Sequence, residues 1–168
     1  GSPTHQADCR TTSNIVPTTV VGTFTTAGWV NGATTITLTV GNTASLAIGM
    51  VLGTSGLVNS SILALPNSST ITLSSPATST VSVSTNLVFY NTTATTMTIA
   101  ATGVQVFDGQ TVEVGDVVAF TNQSALSLMG PWVCTTAGAV GVQPVYARPI
   151  WFTGASASPV LMHIAKGL

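Results

Sequence analysis

The chain has 168 residues, of which 45% are hydrophobic and only 4% charged, with four acidic and three basic side chains and a formal net charge of −1, where ordinary soluble domains carry roughly 25% charged residues. There is no cluster of Lys and Arg of the kind that neutralises phosphates, which argues against nucleic-acid binding. Mean hydropathy is +0.54, but no stretch of about 18 apolar residues exists to form a transmembrane helix.

A monomer of this mass, 16.9 kDa, exposes on the order of 7,700 Å², or about 1,100 Å² for each formal charge. Such a surface is wetted by hydroxyls, amides and backbone, or it is covered by other subunits. The hydroxyls come from 30 Thr and 17 Ser, which hydrate well but supply little long-range repulsion between molecules. With one Glu, one Lys, two Arg and five Gln, the chain lacks the long polar side chains that dress the wet face of an amphipathic helix. Thr, Val and Ile together make 59 residues, and β-branched side chains fit a pleated sheet. The predicted class is therefore all-β, with sandwich- or barrel-like modules of short antiparallel strands and an extended N-terminal arm.

In chain order, residues 1–17 read as that arm: polar, poorly periodic, and held by a neighbouring element or chain. Gly1 to Arg10 lacks the basic region and apolar stretch of a signal peptide. Residues 18–90 read as a Thr/Ser-rich β-module. Strict alternation at Thr35–Val40, Thr70–Ser74 and Thr80–Ser84 puts apolar side chains on one face and hydroxyls on the other. Thr18–Thr25, Leu46–Leu52 and Asn86–Tyr90 are further expected strands. Residues 91–168 read as a second module, with strands over Thr95–Ala101, Val117–Thr121, Pro131–Thr135, Val142–Ala147 and Pro159–Ala165. Its clearest feature is a hairpin, Val104–Phe107 and Gln110–Val114 joined by Asp108-Gly109, which suits a type I′ turn. After Gly115-Asp116, Val117–Phe120 is predicted as the third strand of a meander.

Few residues of this sequence fall into patterns that carry chemistry. The nucleophile elbow, the P-loop, the dinucleotide fingerprint and the H-E-x-x-H motif are all missing, so the chain is read as a non-enzyme without cofactor or metal. Asp108, Glu113 and Asp116 would be the carboxylates of a Ca²⁺ site, but each has a simpler reading as a turn or outward-facing residue. His5 and His163 imply no second ligand. Cys9 and Cys134 show no metal or redox spacing; separate thiols are favoured, with pairing within or between chains the alternative. Trp29, Trp132 and Trp151 read as core or interface anchors before a sugar platform. Thr-x-Thr at 35–39, 70–72 and 96–98 raises an ice- or surface-binding reading, which the irregular spacing disfavours.

Two stretches carry a resemblance. One is Leu46-Ala47-Ile48-Gly49-Met50-Val51-Leu52-Gly53, then Ile62, then Ile71-Thr72-Leu73-Ser74-Ser75-Pro76-Ala77-Thr78. The other is Phe107-Asp108-Gly109-Gln110, Val114-Gly115-Asp116-Val117-Val118, Asn122-Gln123, Trp132-Val133 and Ala147-Arg148. Together they resemble β-modules of tailed-bacteriophage virion proteins, in head decoration and tail fibres. The resemblance implies a non-enzymatic structural role, most simply as a capsid decoration or cement protein that binds between subunits of the major capsid protein. It further implies a virion location after assembly in the host cytoplasm. Self-association is expected, as trimers before dimers. Trp29, Trp132, Trp151, Arg148 and Cys9 are the interface candidates. The alternative is a tail-fibre or adaptor domain that binds a host receptor or glycan through loops carrying the tryptophans.

Overall fold

The computed structural model describes residues 6–152 and 163–164. In chain order its strands are β1 Gln6–Ala7, β2 Cys9–Arg10, β3 Thr25–Thr26, β4 Thr35–Val40, β5 Ile62–Ala64, β6 Thr70–Leu73 and β7 Thr85–Asn86. They continue with β8 Thr96–Thr98, β9 Val106–Phe107, β10 Gln110–Thr111, β11 Val117–Phe120, β12 Gly130–Thr136, β13 Val145–Ala147 and β14 His163–Ile164. Single 3-10 turns lie at Thr43–Ser45 and Leu126–Leu128, and no α-helix occurs among the described residues. The chain is all-β and β-sandwich-like, and its sheets are mainly antiparallel.

Two compact units divide the chain. One takes its described residues from Gly1–Pro17, Thr95–Gln123 and Leu128–Leu168, and the other consists of Thr18–Ala94 with Ser124–Ser127. The second unit holds a five-stranded sheet in the order β5-β6-β4-β3-β7. Alternation sets its inner face: Ile36 and Leu38 from β4, Ile71 and Leu73 from β6 and Ile62 from β5 are buried, and they pack with Phe24, Leu52, Leu57 and Phe89. Phe24 and Phe89 meet edge to face with centroids 5.3 Å apart, the arrangement ring quadrupoles favour. Not one Asp, Glu, Lys, Arg or His occurs in this unit.

The first unit holds a sheet in the order β2-β11-β12-β13-β8. Register places Cys9 beside Val118, Val118 opposite Trp132, Cys134 opposite Tyr146, and Tyr146 opposite Met97. Residues directly opposite share a face, so these side chains line one inner face, and all are buried. Phe120 completes it, edge to face with Phe107, Trp132 and Tyr146 at centroid distances of 6.3, 6.5 and 5.1 Å.

Several expected elements take a different form. Asp108 and Gly109 do adopt positive φ, 53° and 76°, as a type I′ turn requires. However, the hairpin β9-β10 stands as its own two-stranded sheet. The strand Val117–Phe120 is not the third strand of a meander; it pairs with β12 and, in parallel, with β2. The turn at Glu113–Asp116, closed by Asp116 N–H donating to Glu113 C=O at 3.0 Å, redirects the chain to the larger sheet. The arm is where sequence pattern misleads most. Ala7, Cys9 and Thr11 are buried while Asp8 and Arg10 are not, a period of two hidden by mixed chemistry. Asp8 N–H donates to Val117 C=O and Thr11 N–H to Ala119 C=O, at 2.7 and 2.9 Å.

Leu46–Leu52 is mostly a turn, because Met50 N–H closes on Ala47 C=O at 3.3 Å and only Val51 and Leu52 form bridges. In the expected strands at 80–84 and 18–25 only isolated bridges and Thr25 pair, while Ile62–Ala64 forms an edge strand that lacks a visible alternation. Of the expected strand Pro159–Ala165, only His163 and Ile164 lie among the described residues, where they pair in parallel with Gln6 and Ala7. His5 and Lys166 lie outside them.

Candidate interaction surfaces

The acidic residues are used locally. Asp116, at the start of β11, is buried; its Oδ2 accepts from Glu113 N–H at 3.0 Å, so the carboxylate closes the turn that precedes the strand. Asp108 sits in the hairpin turn with Oδ2 3.8 Å from Arg10 Nε. Asp8 Oδ2 accepts from Val117 N–H at 2.8 Å, tying β2 to β11. Among the described residues, no three His, Cys, Asp or Glu come together as metal ligands would.

Of the five interface candidates, Trp29, Trp132 and Cys9 lie inside their own units, with 6%, 1% and 0% exposure. As folded, these side chains are not presented to a partner. Trp29 belongs to the aliphatic core beside β4 and β6, and its Nε1 is buried without a hydrogen bond. Trp132 Nε1 donates to Leu128 C=O at 2.9 Å, anchoring the 3-10 turn that leads into β12. Cys9 and Cys134 are both buried free thiols. Register places them two strands apart, about 9.6 Å at ~4.8 Å per strand, beyond the ~7 Å Cα limit for a disulfide.

Arg148 follows β13 on the Trp132 face. Its guanidinium carbon lies 3.9 Å from the Trp132 ring centroid and 4.3 Å from that of Phe152, and Nη1 donates to Pro131 C=O at 2.9 Å. A planar delocalised cation is suited to such a slot between two rings. Burial pulls its pKa down to about 9, which leaves it cationic at neutral pH. Trp151 is half-buried close by in sequence. Arg148 and Trp151 are thus the candidates that retain exposed surface.

Other polar side chains serve the interior. Tyr146 O–H donates to Gln105 Oε1. Burial, then the negative potential of Cys134, Cys9 and Asp116, pushes the phenol well above its ordinary value. Burial likewise raises the Cys134 thiol, with Asp116 adding to it. These groups are held neutral, the opposite of an activated nucleophile.

The hydroxyl faces expected of Thr35–Val40 and Thr70–Ser74 lie on the outward side of the β5-β6-β4-β3-β7 sheet. Register sets Thr35 opposite Thr72 and Thr37 opposite Thr70, which joins two alternating stretches into one hydroxyl grid. Each stretch is visible in the sequence, but their pairing is not, because it joins strands about thirty residues apart across an intervening 3-10 turn and edge strand. Fully exposed aliphatic residues were also missed: Val21 is 93% exposed, and Val140 and Ile150 are each 99% exposed. Comparison with family models, curated proteins and solved structures returns no match to this chain.

Proposed function

We propose that the chain is a non-enzymatic structural subunit of a tailed-phage virion, most simply a capsid decoration protein that binds between subunits of the major capsid protein. The observation that carries this reading is the near-absence of charge on a folded all-β chain that still exposes aliphatic side chains. Isolated soluble proteins keep apart through charge and gatekeeper lysines at strand edges. A subunit whose surface is buried among neighbours does without both. The two phage-like stretches supply the kind of assembly. The Cys134 thiol and the Tyr146 phenol, both held neutral by burial, support a scaffold role over catalysis.

The receptor-binding alternative relied on exposed tryptophans, and two of the three lie in cores. The decoration reading is therefore preferred. Its test is to raise antibody against the chain and probe gradient-purified particles from the lysate in which it is made. Labelling of heads at many positions is the expected result, whereas a chain confined to the soluble fraction overturns the proposal.

A further inference from the structure

The turn that precedes β4 carries one residue pair with a reactivity of its own. Of the eight asparagines in the chain, Asn31 is the one followed by glycine. Asn31 and Gly32 form the corner of a turn closed by Ala33 N–H donating to Val30 C=O at 3.0 Å. Asn31 is exposed, and its side-chain amide makes no hydrogen bond among the described residues. By contrast, the Oδ1 atoms of Asn42, Asn67, Asn86 and Asn122 accept from Ala44 N–H, Ser69 N–H and the hydroxyls of Thr25 and Thr121. Gly32 has φ +87°, and beyond its chain neighbours nothing lies within 4 Å of where a Cβ would stand. Its nitrogen is engaged, however: Gly32 N–H donates to Ala77 C=O at 2.8 Å. That bond belongs to a ladder in which Trp29 and Val81 exchange hydrogen bonds at 2.8 Å and Asn31 N–H donates to Thr80 Oγ1 at 2.9 Å.

We propose that Asn31 is a self-modifying site, at which the chain converts its own amide to a carboxylate, and that the Gly32–Ala77 hydrogen bond gates the reaction. The Gly32 nitrogen attacks Asn31 Cγ. A C–N bond forms, the side-chain amide nitrogen leaves as ammonia with the Gly32 proton, and a five-membered cyclic imide remains. Water then opens the ring, with no change of oxidation state. Breaking the Cγ–N bond restores the Gly32 peptide and leaves aspartate at position 31. Breaking the bond at the backbone carbonyl leaves isoaspartate, with the chain routed through the former side chain and longer by one methylene. Glycine favours ring closure because it has no Cβ to obstruct the attack and the widest choice of backbone conformation. A nitrogen whose proton is held by Ala77 C=O is not free to shed it, so the reaction proceeds through local opening of the ladder. The product carboxylate is ionised at neutral pH, in a unit that otherwise holds no Asp, Glu, Lys, Arg or His. It doubles the formal net charge of −1.

The test is to hold the full chain, folded and in urea, at mildly alkaline pH and to follow each asparagine by mass spectrometry of chymotryptic peptides. In the folded chain Asn31 should convert ahead of every other asparagine, giving both aspartate and isoaspartate and a more acidic band on isoelectric focusing. The rate should rise with pH, since the attacking nitrogen must shed its proton. In urea it should be at least about tenfold faster, the factor that an opening free energy of ~1.4 kcal/mol imposes. Gly28→Ala, whose Cβ would lie 2.1 Å from Val81 C=O, loosens the same ladder and should speed the reaction without urea. Asn31→Gln, whose longer side chain closes a ring less readily, should abolish the acidic band. Another asparagine reacting first, or an acidic band that persists in Asn31→Gln, would overturn the assignment of the site. Equal rates with and without urea, or a Gly28→Ala chain that reacts no faster than the parent, would overturn the gate. Each of these outcomes leaves the decoration reading as it stands.

Discussion

The unit built from Thr18–Ala94 and the unit built around β11 and β12 each carry a five-stranded sheet, yet their side-chain chemistry differs almost throughout. The first has an aliphatic core with one aromatic pair, an outer face of hydroxyls and no charge. The second gathers its aromatics around Phe120 and buries two thiols, a phenol and a carboxylate. The contrast separates two things a sheet needs. Core packing supplies stability in both, while ionisable groups, where present, close a turn, tie strands locally and set how the fold responds to pH and oxidants. Reporters of each unit separate the two: in a background with Trp132 and Trp151 replaced by Phe, fluorescence comes from Trp29 in the uncharged unit alone, while Cys9 and Cys134 lie in the other.

The largest effect is expected at Phe120. It is fully buried and touches three rings edge to face. Phe120→Ala should cost about 3–5 kcal/mol, seen in urea as earlier labelling of the two thiols, with a smaller shift in Trp29 fluorescence. Equal shifts of both signals would break the comparison, since stability would then not be local to each core. The reciprocal test is Gly28→Ala. Gly28 has φ +122°, and an added Cβ would lie 2.1 Å from Val81 C=O, inside the bridge where Trp29 and Val81 exchange hydrogen bonds at 2.8 Å. Backbone strain alone costs about 1–3 kcal/mol. Trp29 fluorescence should report the loss before the thiols do.

How far these cores were legible depends on how their pattern is written. In Thr35–Val40 and Thr70–Leu73 the alternation is of apolar against hydroxyl, so the strands and their buried faces can be read directly. The Asp108-Gly109 turn was equally plain, since few dipeptides tolerate two consecutive positive φ values. Gln6–Thr11 hides the same alternation behind Ala7, Cys9 and Thr11, none of them strongly hydrophobic. Its burial depends on β11, more than a hundred residues away in sequence. The tryptophans were legible as anchors but not as core anchors, because nothing local separates a ring that fills its own unit from one that fills a partner. Long-range pairing also decided the outward hydroxyl grid.

A smaller effect distinguishes the units by pH. Tyr146 has its pKa raised by burial, so the folded state favours the neutral phenol. That contribution is intact below about pH 10, the unfolded value. Above it the unfolded chain sheds a proton that the folded chain keeps, so stability falls by about 1.4 kcal/mol per pH unit. Cys134 acts in the same sense from about pH 8.5 upward, whereas Arg148, lowered to about 9, acts in the opposite sense and offsets one of the two. Tyr146→Phe isolates one term: its stability should decline less steeply above about pH 10 than that of the parent. The uncharged unit has no carboxylate, imidazole or amine, so Trp29-monitored unfolding should be flat from about pH 3 to about pH 9.

The smallest effect tests whether charge stabilises even the unit that has it. Arg10 Nε and Asp108 Oδ2 are 3.8 Å apart, with side chains 54% and 28% exposed, and pairs in such settings contribute about 0–1 kcal/mol. Asp108 also has a conformational task, since it holds φ at 53°, and Asn performs that task equally well. Asp108→Asn therefore removes the ion pair and keeps the turn. The urea midpoint for thiol exposure should move by no more than the equivalent of about 0.5 kcal/mol, and added salt should leave the parent's midpoint nearly unchanged. A loss as large as that of Phe120→Ala would mean that the pair, and not the aromatic core beneath it, holds β2 and the hairpin in place. The contrast between the two units would then be one of charge as much as of packing.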